Sequence, residues 1–192
     1  NNFTGPALGL TYINRNLFKS GEELRLNASV GYERQFLSGN QDGLSSLQLS
    51  LHGSLSFPRL LFPIDVTSRF KYAVPKTKID LGIDLLDRTN LYTLSSVNTS
   101  FGYVWEGNSY VTHRIKPINL EYLNLQNTSD EFEEILDNNP FLRRSFEQQF
   151  IAGLAYSFTY NDIANPLKDE GIFFNFNFET AGNVVDLFAS DK

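Results

Sequence analysis

Between Glu23 and Glu33 the chain alternates without a break: Leu24, Leu26, Ala28, Val30 and Tyr32 interleave with Arg25, Asn27, Ser29, Gly31 and Glu33. A period of two places the first set on one face of a β-strand and the second on the other. The pattern returns after a turn at Ser38 to Gly43. Leu47, Leu49, Leu51, Gly53 and Leu55 alternate there with Ser46, Gln48, Ser50, His52 and Ser54. A third copy sets Ile79, Leu81, Ile83 and Leu85 against Lys78, Asp80, Gly82 and Asp84. Each runs for about ten residues, longer than the roughly five or six of an ordinary globular strand and close to the nine to eleven that a tilted strand needs to cross a bilayer.

Further strands are predicted at Ala7 to Asn14, Tyr92 to Trp105, Tyr110 to Leu125, Phe150 to Tyr160 and Ile172 to Glu179. In the last two, Leu154, Tyr156 and Phe158, then Ile172, Phe174, Phe176 and Phe178, make the apolar faces. Tyr92 to Trp105 alternates poorly, and Pro117 interrupts the strand after it, where a ladder N–H is lost. Turn chemistry joins the strands at Lys19-Ser20-Gly21, Asp87 to Asn90, Glu106-Gly107-Asn108 and Asn161 to Gly171. Residues 127–149 read instead as a helical loop. Thr128 is placed to cap a short helix with Glu131 three residues on and Phe132, Ile135 and Leu136 as its apolar stripe. Asn139-Pro140 starts a second helix, with Leu142 and Phe146 on one face. The expected fold is all-β, a partial antiparallel transmembrane barrel of about eight strands over residues 1–192. Leu24, Leu26, Ala28, Val30, Leu47, Leu49, Leu51, Ile79, Leu81, Ile83, Leu154, Phe158, Phe174 and Phe176 face lipid in this reading, and the helical loop covers one barrel mouth.

Composition sharpens this reading without redirecting it. The 192 residues carry a formal net charge of −6, a sequence pI near 4.9 and a mean hydropathy of −0.26, with no run approaching the roughly 18 apolar residues of a membrane helix. A barrel strand is polar at every second residue, so its mean hydropathy stays near zero while one face is wholly apolar. The acidic balance argues against nucleic acid, which needs clustered Lys and Arg. No Cys and two His leave no thiol chemistry and little for a metal centre, so neither cofactor nor metal is expected. His52 and His113 read as hydrogen-bonded lumen or interface residues. The acids Asp130, Glu131, Glu133, Glu134 and Asp137 lack the oxygen-ligand spacing of a calcium loop, and the helix dipole accounts for those of the first turn. Arg25, Glu33, Lys78, Asp80, Asp84, Arg114, Lys116 and Glu121 are expected to line a hydrated interior of mixed sign. No catalytic set emerges, and an enzyme is not expected. Aromatics beside alternate turns, near Phe18, Phe57 to Phe62, Trp105 to Tyr110 and Tyr160, are placed on one rim, as at a membrane interface.

Gly5 to Phe18, with Gly21 and the strand from Leu24 to Tyr32, resembles the bacterial surface-antigen barrels of the BamA and TamA family, in which an early strand ends in an Asn-aromatic turn with a glycine. Ala155 to Asp162, continued by Asn165 to Gly171, is similar to that family's mid-barrel periplasmic turn. Ser56-Phe57-Pro58-Arg59-Leu60-Leu61-Phe62-Pro63 resembles its periplasmic connection after the fourth strand and points to the TamA-like lipoprotein branch. The resemblance implies about strands two to nine of a sixteen-stranded barrel in the bacterial outer membrane, and an internal piece of a longer chain. It implies an insertase or translocase that assists other outer-membrane proteins through a laterally opening wall. Its partners would be outer-membrane lipids, client outer-membrane proteins and a periplasmic or inner-membrane partner reached through preceding periplasmic repeats. Gly9, Leu10, Thr11, Tyr12 and Ile13 would lie beside the gate. A passive porin, a soluble β-sandwich or lipocalin-like binder and an enzymatic barrel are the rival readings.

Overall fold

A computed structural model describes residues 3–35, 44–62, 70, 72–73, 75–146, 149–163, 165 and 169–181. The turn at Ser38 to Gly43, Pro63, and Pro166 to Lys168 lie outside the described residues. The strands are β1 (Phe3–Thr4), β2 (Ala7–Asn14), β3 (Glu23–Gln35), β4 (Ser45–Phe57), β5 (Lys76–Arg88), β6 (Tyr92–Asn108), β7 (Val111–Gln126), β8 (Gln149–Asn161) and β9 (Phe173–Ala181); α1 (Asp130–Asp137) and α2 (Pro140–Phe146) separate β7 from β8. All strands join one antiparallel sheet that follows chain order from β3 to β9 and is not closed. β1 and β2 pair with the same edge of β3 in one continuous register, Thr4 opposite Arg34 and Ala7 opposite Gly31. They act as one edge strand whose ladder lapses at Gly5-Pro6, so the sheet is eight strands wide. A Cβ on Gly5 would stand 1.6 Å from the Tyr32 carbonyl oxygen, which admits only glycine there.

β3, β4 and β5 form where alternation is strictest, each extending to 13 residues. Poor alternation at the start of β6 has a packing cause. Tyr92 and Leu94 lie on the polar side of the sheet, and with Leu86, Leu91 and Leu125 they meet Phe132, Leu136, Leu142 and Phe146 of the two helices. Both sides of the sheet are therefore apolar at this end. Tyr92 sits 4.8 Å from the Phe132 ring and 5.2 Å from Phe146, and Phe132 stands 5.5 Å edge-on from Phe146. Such pairs add about 0.5–1.5 kcal/mol each beyond simple burial.

α1 starts one residue later than the sequence predicts. Ser129, not Thr128, is the cap, accepting from the Phe132 amide at 3.2 Å. Asn139 caps α2 as expected, accepting from the Leu142 amide at 3.2 Å, with Pro140 opening the helix. Of the expected stripe, Phe132 and Leu136 are buried while Ile135 stays exposed. Pro117 is tolerated because β7 bulges around it. Between Lys116 and Asn119 the register with β8 slips by one residue, and the register with β6 slips across Phe101 and Tyr103.

Candidate functional site: two faces and an open edge

Strand registers carry one apolar face across the whole sheet. Leu24, Leu26, Ala28 and Val30 stand opposite Leu55, Gly53, Leu51 and Leu49. Next, Leu51 faces Ile83, Gly53 faces Leu81, and Leu55 faces Ile79. The row continues through Val97, Thr99 and Phe101 to Tyr122, Leu120 and Ile118. Leu154, Tyr156 and Phe158 carry it to Thr180, Phe178 and Phe176, and Phe174 lies opposite Tyr160. Leu47 shares the face through Tyr32. On the other flank Leu8, Leu10 and Tyr12 extend it to β2, opposite Val30, Ala28 and Leu26. Register thus sets on one side the alternating residues from Leu24 in β3 to Phe178 in β9, while Ile172 precedes β9 and has no register partner.

Among the described residues only the segment around Phe62 and Phe70 packs across one end of this face, against Tyr103 and Trp105. Leu8 and Leu10 are 74% and 72% exposed, and Leu51, Leu81 and Phe174 remain more than half exposed. Contiguous apolar patches beyond a few hundred Å² mark an interaction site. The apolar row runs from Leu24 to Tyr32 in β3 and from Leu47 to Leu55 in β4, roughly 27 Å along each strand.

One end of the apolar face is aromatic. The Trp105 ring stacks on His113 at 4.8 Å, Phe70 meets Trp105 at 5.8 Å, and Phe62 meets Tyr103 at 6.1 Å. Phe158 lies 5.3 Å from His113 and 6.2 Å from Phe174. His113 thus belongs to the apolar face, its Nδ1 2.9 Å from the Tyr156 hydroxyl.

The opposite face is polar away from the helix-covered end at Tyr92 and Leu94. His52 Nε2 lies 2.9 Å from Asp84 Oδ1, Ser54 donates to Asp80 at 2.7 Å, and Arg25 meets Glu23 at 3.1 Å. Thr11 donates to Asn27 at 2.9 Å. Residues from β3 through β7 share one groove of about 530 Å³, so the sheet curves with its polar side inward. Arg25, Lys78, Asp80, Asp84, Arg114, Lys116 and Glu121 fall on this side by register, as does Glu33 opposite Ser46.

The turns that carry the family resemblance gather at the aromatic end, and buried acids that alternation gives no signal for organise two of them. Fully buried Glu22 accepts from the Ser20 amide at 3.0 Å. Its Oε1 stands 3.2 Å from Arg59 as an ion pair outside hydrogen-bond alignment, tying the first turn to the Ser56 to Phe62 segment. Asn16 Oδ1 accepts from Gly21, whose φ of 84° suits glycine. Asp162, 1% exposed, accepts from the Tyr160 hydroxyl at 3.0 Å and from the Ile172 amide, closing the last turn. Thr77 is equally buried: it donates to the Arg59 carbonyl and accepts from the Leu61 amide, both at 2.8 Å.

Gly9 to Ile13 lie in β2, whose outer edge pairs with nothing among the described residues, and the same holds for β9. A Cβ on Gly9 would meet no atom within 4 Å, so packing does not require this glycine. On α1, Glu133 and Asp137 both pair with Arg143 of α2, and of the two only Asp137 lies beyond the first turn that the helix dipole accounts for. Scans against protein-family models and searches of curated proteins and solved structures return no match.

Proposed function

We propose that this chain forms part of the wall of an outer-membrane β-barrel of the BamA and TamA type, which assists insertion or export of other outer-membrane proteins without enzymatic chemistry. The observation that carries the reading is the apolar face running unbroken from β2 to β9, covered among the described residues only at its aromatic end, and backed by a face of polar and ion-paired side chains. Lipid acyl chains are the solvent that satisfies such a surface, and the aromatic end is placed at an interface. In hydrocarbon every unpaired backbone N–H and C=O costs several kcal/mol, so the sheet edges require strand partners. An edge partner that exchanges is the physical basis of a gate: alternate residues of β2 direct their backbone groups outward and template an incoming client strand. A short strand with an unpacked Gly9 suits that exchange. Outer-membrane lipids and client outer-membrane proteins are the partners in this reading, with a periplasmic or inner-membrane partner for the remainder of the assembly.

Nitroxide labels at Leu26, Leu49 and Ile83 of the full-length protein in proteoliposomes test the membrane placement. Oxygen in the lipid should relax them, while labels at Asn27, Ser50 and Asp84 respond to an aqueous nickel complex; the reverse pattern removes the proposal. A client-insertion assay alongside conductance then tests the activity. The hydrated groove of about 530 Å³ favours a passive porin as the second reading, and steady conductance without client insertion would select it.

A further inference from the structure

On the polar face, the extra residue in β7 at Lys116 to Ile118 changes what its neighbours can fill. Gly102 of β6 stands between Lys78 of β5, its register partner, and the bulged strand, and the side chain it lacks would collide with the Ile115 carbonyl. A cavity of about 140 Å³ results, lined by Lys78, Asp80, Ser100, Gly102, Arg114 and Lys116. We propose that Lys78, Arg114 and Lys116 form a binding site for a phosphate group, beside the close passage of β6 and β7 that Gly102 permits.

Three cations share this cavity with one carboxylate. Elsewhere on this face Arg25 pairs with Glu23 and His52 lies against Asp84, while Lys76 and Arg88, at the two ends of β5, make no ion pair among the described residues. Among the described residues, Lys78, Arg114 and Lys116 make no ion pair within 4.0 Å. Asp80 makes no ion pair with them, its carboxylate accepting from Ser54 at 2.7 Å and Ser100 at 3.3 Å. Lys78 and Lys116 are half-buried, and desolvating like charges together is unfavourable unless a counter-charge enters. In a chain whose net charge is −6, such a cluster is no by-product of composition. Within this cavity the surplus of two positive charges matches a dianion, Glu179 lying in the neighbouring groove beside Arg114 and Lys116. Arg114 offers a planar fork to two oxygens, and the lysines supply point charges. The site belongs to the polar face and stands whether or not the other face meets lipid.

The test is calorimetric titration of inorganic phosphate and of glycerol 3-phosphate into the full-length protein in detergent and a sulfonate buffer. Saturable binding is expected, weakened at least about tenfold by Lys78→Gln with Lys116→Gln, because two charge-assisted contacts are lost. Arg15→Gln, at an exposed turn position, should leave it unchanged. The thermal midpoint should rise with phosphate in the parent and not in the double variant. Equal binding of both ligands assigns the site to phosphate esters at large, and inorganic phosphate alone assigns it to the free ion; either supports the proposal. Absence of saturable binding, as when a carboxylate from elsewhere in the chain fills the cavity, overturns it. So does binding indifferent to the two substitutions, or acetate competing as strongly as phosphate.

Discussion

Gly102 faces the backbone of Ile115 so closely that a Cβ at position 102 would lie 2.3 Å from the Ile115 carbonyl oxygen. The bulge around Pro117 presses that carbonyl toward β6, and only a residue without a side chain lets β6 run past. Glycine in one strand and proline in the next are therefore two halves of one device. It admits a proline to an interior strand where a regular ladder would exclude it.

Gly102→Ala should accordingly cost roughly 1–3 kcal/mol as the strands part to relieve the overlap. Gly9→Ala, with open space around its Cβ, should cost far less. Urea unfolding of the two variants of the full-length protein in detergent compares them directly, and equal losses would mean that the bulge yields without strain.

Leu51 and Ser50 are neighbours on opposite faces of β4, and both tolerate a long side chain sterically, Leu51 being 54% exposed. In water an arginine at either position would be nearly neutral. If the apolar face meets acyl chains, Leu51→Arg should cost about 2–4 kcal/mol and Ser50→Arg little. Reversible folding into lipid vesicles measures both. Similar small effects would point to a soluble or partnered sheet.

Parity alone placed most of the sheet. In β3, β4 and β5 one face is apolar and the other polar, so alternation locates strand, face and neighbour together. That signal fades wherever a second layer arrives: Tyr92 and Leu94 lie on the polar side because α1 and α2 cover it, and no single-strand pattern announces a distant helix. β1 escaped notice because two residues before Gly5-Pro6 carry no periodicity. The cluster of Lys78, Arg114 and Lys116 was legible as three interior charges but not as a site, since their meeting depends on a register slip across three strands. Glu22 and Asp162 were hidden for a related reason. A buried acid in a turn looks like any surface acid until the amides it satisfies are known.

Thr77 illustrates the same limit and yields a test. Its hydroxyl donates to Arg59 and accepts from Leu61, clipping the Ser56 to Phe62 segment to the start of β5. Thr77→Val keeps the shape and leaves both backbone groups without that partner, for an expected loss of about 1–3 kcal/mol. Thr77→Ser should recover most of it. Thermal unfolding of the pair gives the comparison, and a valine variant as stable as the parent would show that water replaces the hydroxyl.

Phe132 joins the helical cap to the sheet through Tyr92 and Phe146, while the sheet's own ladder makes no use of it. Phe132→Ala should therefore loosen one end of the molecule and spare the rest. A buried Phe truncated to Ala costs about 3–5 kcal/mol, more than a cap of two short helices holds in reserve. Amide exchange should accelerate through residues 130–146 and stay slow in β4 and β5, where protection comes from pairing on both sides. Loss of protection across β4 and β5 as well would mean that the cap and sheet unfold as one unit, making the helices part of the fold's foundation and not a cover over one end of its polar groove.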